Sequence, residues 1–283
     1  MSEIDLSQLP APNVVQPLDF EAQLQRLKAL VLAQLPDLAE VLSFESEPVI
    51  KLLELIAYEH VAMQARINDA AKACMLAYAQ GADLDHLAAN LGTQRLAQEP
   101  DADLRRRTQL ALEGFTVAGS SASYRYHALS AHSDVRDAGI DSPSPGTVRV
   151  TVLSRSNNGA ASPELLDTVA SALSAHDVRP LTDNLQVQAA TLVPWSLQAT
   201  LHPYPGPAAQ PLLDAAQAAL ASYLQTTAGQ LGHDITLSAL YACLHQNGIQ
   251  RVELNSPSAD IAIAPTEAAH CIASSITLGS AHV

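Results

Sequence analysis

Two nearly identical phrases hold most of the residues that could do chemistry. Residues 128–136 read ALSAHSDVR and residues 172–179 read ALSAHDVR, each setting a histidine beside an aspartate and an arginine. Imidazole and carboxylate are the donors of zinc sites and the usual partners in general acid/base catalysis. His127, His132, Asp134 and Asp137, joined by His176 and Asp177, would be the members of such a cluster, and a cytoplasmic His/Asp-dependent enzyme is the reading that would follow. Spacing argues against it. His127 and His132 are five apart and do not share a helix face as an i, i+4 metal pair does. No zinc or facial-triad template is met, and no GxSxG, Walker or GxGxxG pattern occurs. The expectation is no catalytic residue, no metal and no cofactor.

The elements around the phrases give them a different meaning. Each follows an apolar helical pattern and precedes an extended run, and a third junction, ALYACLHQNGIQRVEL, again places a histidine, His245, before its turn. A partly cationic ring suits the negative end of a helix, and Asp or Asn starts the turn that leaves it. The repeat reads as a way of ending helices.

Along the chain the periodicity changes twice. Pro10, Pro12 and Pro17 interrupt any pattern in residues 1–17, a flexible N-terminal arm. Residues 18–98 read as a helical bundle region. Phe20, Leu24, Leu27, Val31 and Leu35 form one helical stripe stopped by Pro36, and DLAEVLSF reads as a short helix. Residues 99–184 read as a middle α+β domain, with TVRVTVLS as a strand and Ser162-Pro163-Glu164 as a helix start. Residues 185–283 read as a C-terminal α+β domain whose opening extended run is divided by Pro194. The fold class is α+β: a long-helix bundle segment, then two small α+β domains with mixed sheets.

One helix stands out. From Pro48 to about residue 79, with Ser46 as cap and Gly81 as stop, Val49, Leu53, Ile56, His60, Met63, Ile67, Ala70, Cys74 and Ala77 alternate at four and three residues, the seam of a coiled-coil-like helix. Leu52, Leu55, Ala62, Ala73 and Leu76 widen the apolar surface. Such a helix needs more partners than one short neighbour, in its own chain or in another.

Composition limits the partners. Fifteen Lys and Arg against 29 Asp and Glu leave a formal charge of −14, which repels nucleic-acid backbones and anionic membranes. The single basic run, Arg105-Arg106-Arg107, is expected on the wet side of a helix that Asp101 or Asp103 caps. No segment approaches the roughly 18 apolar residues of a membrane span, and no signal-peptide pattern opens the chain. Cys74, Cys243 and Cys271 are odd in number and far apart, fitting reduced thiols.

The order of phrases then becomes specific. FESEPVIKLLELIAYEHVAMQARINDAAKACMLAYAQGADLDHLAANLGTQRL, DADLRRRTQLALEGFTVAG, YRYHALSAH, SPSPGTVRVTVLS, DVRPLTDNLQVQ, YPGP and GIQRVELNSP resemble, in this order, the baseplate J-like family. These are wedge proteins of contractile-tailed phages and of R-type phage-tail-like bacteriocins. The resemblance implies a structural role with no catalytic residues. It implies a wedge of two copies and one copy of a smaller wedge protein, joined through N-terminal helices. Wedges would join in a six-fold ring and meet the hub and sheath-initiating baseplate proteins. Assembly would occur in the bacterial host cytoplasm, and the finished place would be the tail baseplate. The seam residues 49–74 named above would then face partners. Relatives that carry a barrel insert have it where this chain has only TQRLAQEPDADL. Proline-marked connections at Pro100, Pro203, Pro205 and Pro207 are candidate hinges for rearrangement on contraction. A generic helical adaptor, unconnected with tails, is the other non-enzymatic reading.

Overall fold

A computed structural model describes residues 4–116, 119–206, 209–226 and 229–280. The chain divides into two compact units. One comprises Met1–Arg95 and Pro100–Gln109, the other Leu96–Glu99 and Leu110–Val283.

The first unit is helical. Asp19 caps α1 (Phe20–Gln34), its carboxylate accepting the Ala22 N–H at 2.9 Å. Two 3-10 turns, Pro36–Leu38 and Val41–Ser43, occupy the place expected for a short helix. Pro48 then opens α2 (Pro48–Ala73), 26 residues and therefore about 39 Å long. Glu47, not Ser46, holds the cap position, without a side-chain bond. Leu24, Leu42, Ile50, Leu53 and Ala57 form the core between α1 and α2.

The expected continuation of α2 to residue 79 fails for an identifiable reason. The chain turns after Ala73, and the Arg105 guanidinium donates to the Leu76 and Ala79 carbonyls at 2.7 and 2.6 Å. Arg105 lies on α4 (Asp101–Gly114) and satisfies carbonyls that a longer helix would have bonded internally. Arg107 is buried, and its Nη2 donates to the Gln94 carbonyl at 2.7 Å. The arginine run is thus no wet face. Five fixed N–H donors let each guanidinium bind a loop backbone that lysine could reach only as a point charge. Gly81, expected to stop α2, instead begins α3 (Gly81–Ala89) at φ +52°, a left-handed conformation that glycine accepts without strain. Ala79, Leu84 and Ala88 pack there with Leu104 of α4.

The second unit holds two three-stranded mixed sheets. In the first, β1 (Val135–Ser144) is antiparallel to β2 (Thr147–Ser154), and β2 is parallel to β3 (Asn184–Ala189). Parallel neighbours need a long crossover, and α6 (Pro163–Leu173), capped by Ser162, lies on that connection. With α5 (Ser121–Ala131) it encloses a core around Tyr124, Val150, Val152, Val169 and Leu173. In the second sheet β4 (Thr191–Pro203) lies between antiparallel β5 (Ile249–Ser256) and parallel β6 (Glu267–Leu278). Leu197, Leu201, Leu240, Leu244 and Ile249 fill its core beneath α7 (Ala209–Thr226) and α8 (Leu237–Leu244).

The long extended run breaks at Ala190, between β3 and β4, and not at Pro194. Pairing with β5 begins only at Gln198, so the missing N–H of Pro194 costs no ladder bond on that side. β3 therefore belongs to the middle sheet.

Two consecutive residues of β1 bind the C-terminal layer. Arg136 donates to the Gln225 carbonyl at 2.6 Å and the Leu224 carbonyl at 3.4 Å, in the last turn of α7, where a cation suits both the dipole and the orphan acceptors. Asp137, 3% exposed, accepts from Arg125 at 2.9 Å, from the Ala138 N–H at 2.9 Å and from the Leu231 N–H at 3.2 Å. Buried charge is tolerated when it is paired and bonded in this way.

Candidate assembly interface

The residues suspected of chemistry are separated by their own partners. His132 caps the end of α5, and its Nδ1 accepts the Asp134 N–H at 3.0 Å. Asp134 turns away to Ser154 and Ser156, whose hydroxyls lie 2.5 and 2.9 Å from its Oδ2. Burial alone would raise the Asp134 pKa, but these bonds to the ionised form outweigh it and hold the carboxyl below its ordinary value. His127 bonds the Gly114 carbonyl at 3.2 Å, and burial lowers its pKa against the opposing pull of that carbonyl and of Asp177. Asp137 is spent on the joint just described. Among the described residues no group of three or more His, Cys, Asp or Glu is placed to hold a metal.

The two phrases also differ from each other. His132 and His245 occupy cap positions, whereas α6 ends at Leu173 with Ser174 as its cap. His176 therefore lies beyond the helix end, exposed.

What the structure does present is a divided long helix. Ile50, Leu53, Ala57 and Asn68 are the buried residues of α2, at helical spacing along one face. The heptad seam lies about a quarter turn away from that face. Leu53, at 7% exposed, belongs to the internal core, Val49 packs partly buried against it, and His60 is partly buried. His60 Nδ1 meets Gln23 Nε2 at 2.7 Å, making it a packed, bonded residue. Ile56, Met63 and Ile67 are 45%, 63% and 50% exposed, and Ala70 and Cys74 are exposed with them. Leu52, Leu55 and Tyr58 add further open apolar surface. Exposed apolar surface of this extent is unusual on a protein with no partner.

The sequence reading passed over Asn68 and gave Arg105 and Asp137 other roles, a wet helix face and a member of a His/Asp cluster. An asparagine in a core register was the one visible signal, since a polar residue there needs a specific partner.

Residues 45–103 match the baseplate J-like N-terminal domain, residues 116–189 the baseplate J-like central domain and residues 195–278 the baseplate J-like protein C-terminal domain. The chain belongs to the baseplate J-like family. Baseplate protein J of Escherichia phage P2 is 46% identical over 291 residues, covering 96% of each chain. A structure of the anti-feeding prophage baseplate, 6-fold symmetrised, aligns with TM-score 0.42 and 13% identity over 63% of this chain and 42% of that one. This baseplate J-like chain is a structural component of a contractile tail or tail-like particle, in a family that is not catalytic. Its place is the baseplate of that particle. No described helix is long and apolar enough to cross a membrane.

Proposed function

We propose that the chain is the larger subunit of a baseplate wedge, two copies joining one copy of a smaller wedge protein through their N-terminal helices. The stripe Ile56, Met63, Ile67 and Ala70 on α2, continued by Cys74 at its C-cap, supports this reading, because a helix that already has an internal partner keeps a second apolar face open. The wedges assemble in the host cytoplasm. They then link through their C-terminal parts into a six-fold ring around the hub, next to the sheath-initiating proteins.

On contraction the chain bends at Pro100, where residues 96–99 of one unit give way to residues 100–109 of the other. Pro203 is the buried last residue of β4 and Pro205 lies in the exposed turn after it, so this second candidate flexes less than the first. Pro207 lies outside the described residues.

Co-expression with the neighbouring tail genes, followed by native mass measurement, tests the assembly. A complex with two copies of this chain and one smaller protein is expected, lost in the Ile56→Asp/Ile67→Asp double variant. A double variant that assembles as well as the parent overturns the proposed face. Particle structures before and after contraction test the hinge, which fails if the backbone near residue 100 is unchanged.

A further inference from the structure

Gln23, in the first turn of α1, bonds His60, and from there α1 runs back along the first half of α2. Beyond His60 the inner face of α2 changes character. Val61, Gln64, Ala65, Asn68 and Ala71 continue it with small and amide side chains, all at least half-buried.

The backbone at Gln16, just after a turn closed by Val15 N–H and the Pro12 carbonyl, meets this face at Asn68. The Asn68 carboxamide, 5% exposed, accepts the Gln16 N–H at 3.1 Å and donates to the Gln16 carbonyl at 2.7 Å, the two-point pairing one strand offers another. Gln64 Nε2, 3.4 Å from Asn68 Oδ1, orients it. At the other end of the arm Gln109 Nε2 donates to the Ile4 carbonyl at 2.9 Å, and Asp5 caps the 3-10 turn Leu6–Gln8. Two side-chain amides thus hold residues 4–16 by their backbone, while Ile4, Leu9 and Val14 remain exposed. The segment expected to be a flexible arm has a defined course.

We propose that residues 4–16 are a brace that keeps the distal half of α2, residues 61–73, helical and its outward stripe displayed before any partner arrives. A helical half of this length without tertiary contacts is marginal in water, and the brace supplies contacts that α1 does not reach to give. Ordering the docking face beforehand removes that cost from association. The pre-ordering of a docking face rests on the wedge reading; the bracing of α2 does not.

Hydrogen exchange of the whole chain tests the brace. Asn68→Ala should speed amide exchange in residues 61–73 and 10–16 by roughly tenfold and leave residues 48–57 unchanged. The sign discriminates, because alanine is the better helix former and would slow exchange if the brace did nothing. Deletion of residues 2–16, which leaves the sequence of α2 intact, should reproduce the effect in residues 61–73. Unchanged or slower exchange there in either variant overturns the proposal. Failure of the parent chain to form a hetero-oligomer would instead strike the wedge reading and leave the brace standing.

Discussion

The Asp137 carboxylate accepts the Leu231 backbone N–H at 3.2 Å and so ties the first strand of one sheet to the segment that leads into α8. Nearly a hundred residues separate the two in sequence, and the bond is one of three that the same buried carboxylate accepts from described donors. Asp137→Ala removes all three and leaves the Arg125 guanidinium without its partner carboxylate. A loss of about 3 kcal/mol in the stability of the second unit is expected, measured by chemical denaturation. Asp137→Asn, which keeps acceptor oxygen but no charge, should cost less.

The two faces of α2 should respond oppositely to substitution. Leu53→Ala cuts into the internal core and should cost about 2–5 kcal/mol in the isolated chain. Met63→Glu and Ile67→Asp, on exposed positions, should change stability by no more than about 0.5 kcal/mol while abolishing hetero-oligomer formation. Denaturation and native mass measurement on the same preparations separate the two effects.

Arg105→Met should loosen the turn after α2, since the Leu76 and Ala79 carbonyls lose their donors. A cost of roughly 1–3 kcal/mol is expected. Arg105→Lys should recover only part of it, because an ammonium cannot reproduce the planar fork.

Acid should weaken the second unit in two stages. His127 has a lowered folded pKa, so the unfolded chain takes up its proton first, and stability falls as pH drops from about 6.5 toward that lower value. Asp134 has a lowered folded pKa as well. Its contribution is complete above the unfolded value of about 4 and is lost as pH falls through the folded one. Denaturation midpoints across this range should lose the upper stage in His127→Gln and show a smaller lower stage in Asp134→Asn, the remainder coming from carboxylates such as Asp141, which Arg149 also holds low.

Local sequence signals found most elements, and the misses share a cause. The start of α6 was visible because Ser162 bonds within its own first turn. β2 was visible because Val148, Val150 and Val152 alternate. The end of α2 was not, because it depends on Arg105, contributed by a helix some thirty residues on. The heptad pattern located an apolar face without showing which positions the chain itself would cover. Leu53 went to the internal core and Ile56, three residues later, to solvent. The histidine phrase, read as a way of ending helices, holds at His132 and His245 and fails at His176, which lies past the cap residue Ser174.

The passage of the chain between its units bears on any attempt to cut it. Leu104 completes the packing of Ala79, Leu84 and Ala88, yet it follows residues 96–99, which belong to the other unit. A fragment ending at Arg95 would carry the whole of α3 and lack the side chain that closes its core. During synthesis the same holds in time: the first unit cannot finish folding when the ribosome has delivered its last helix but one, and must wait for α4.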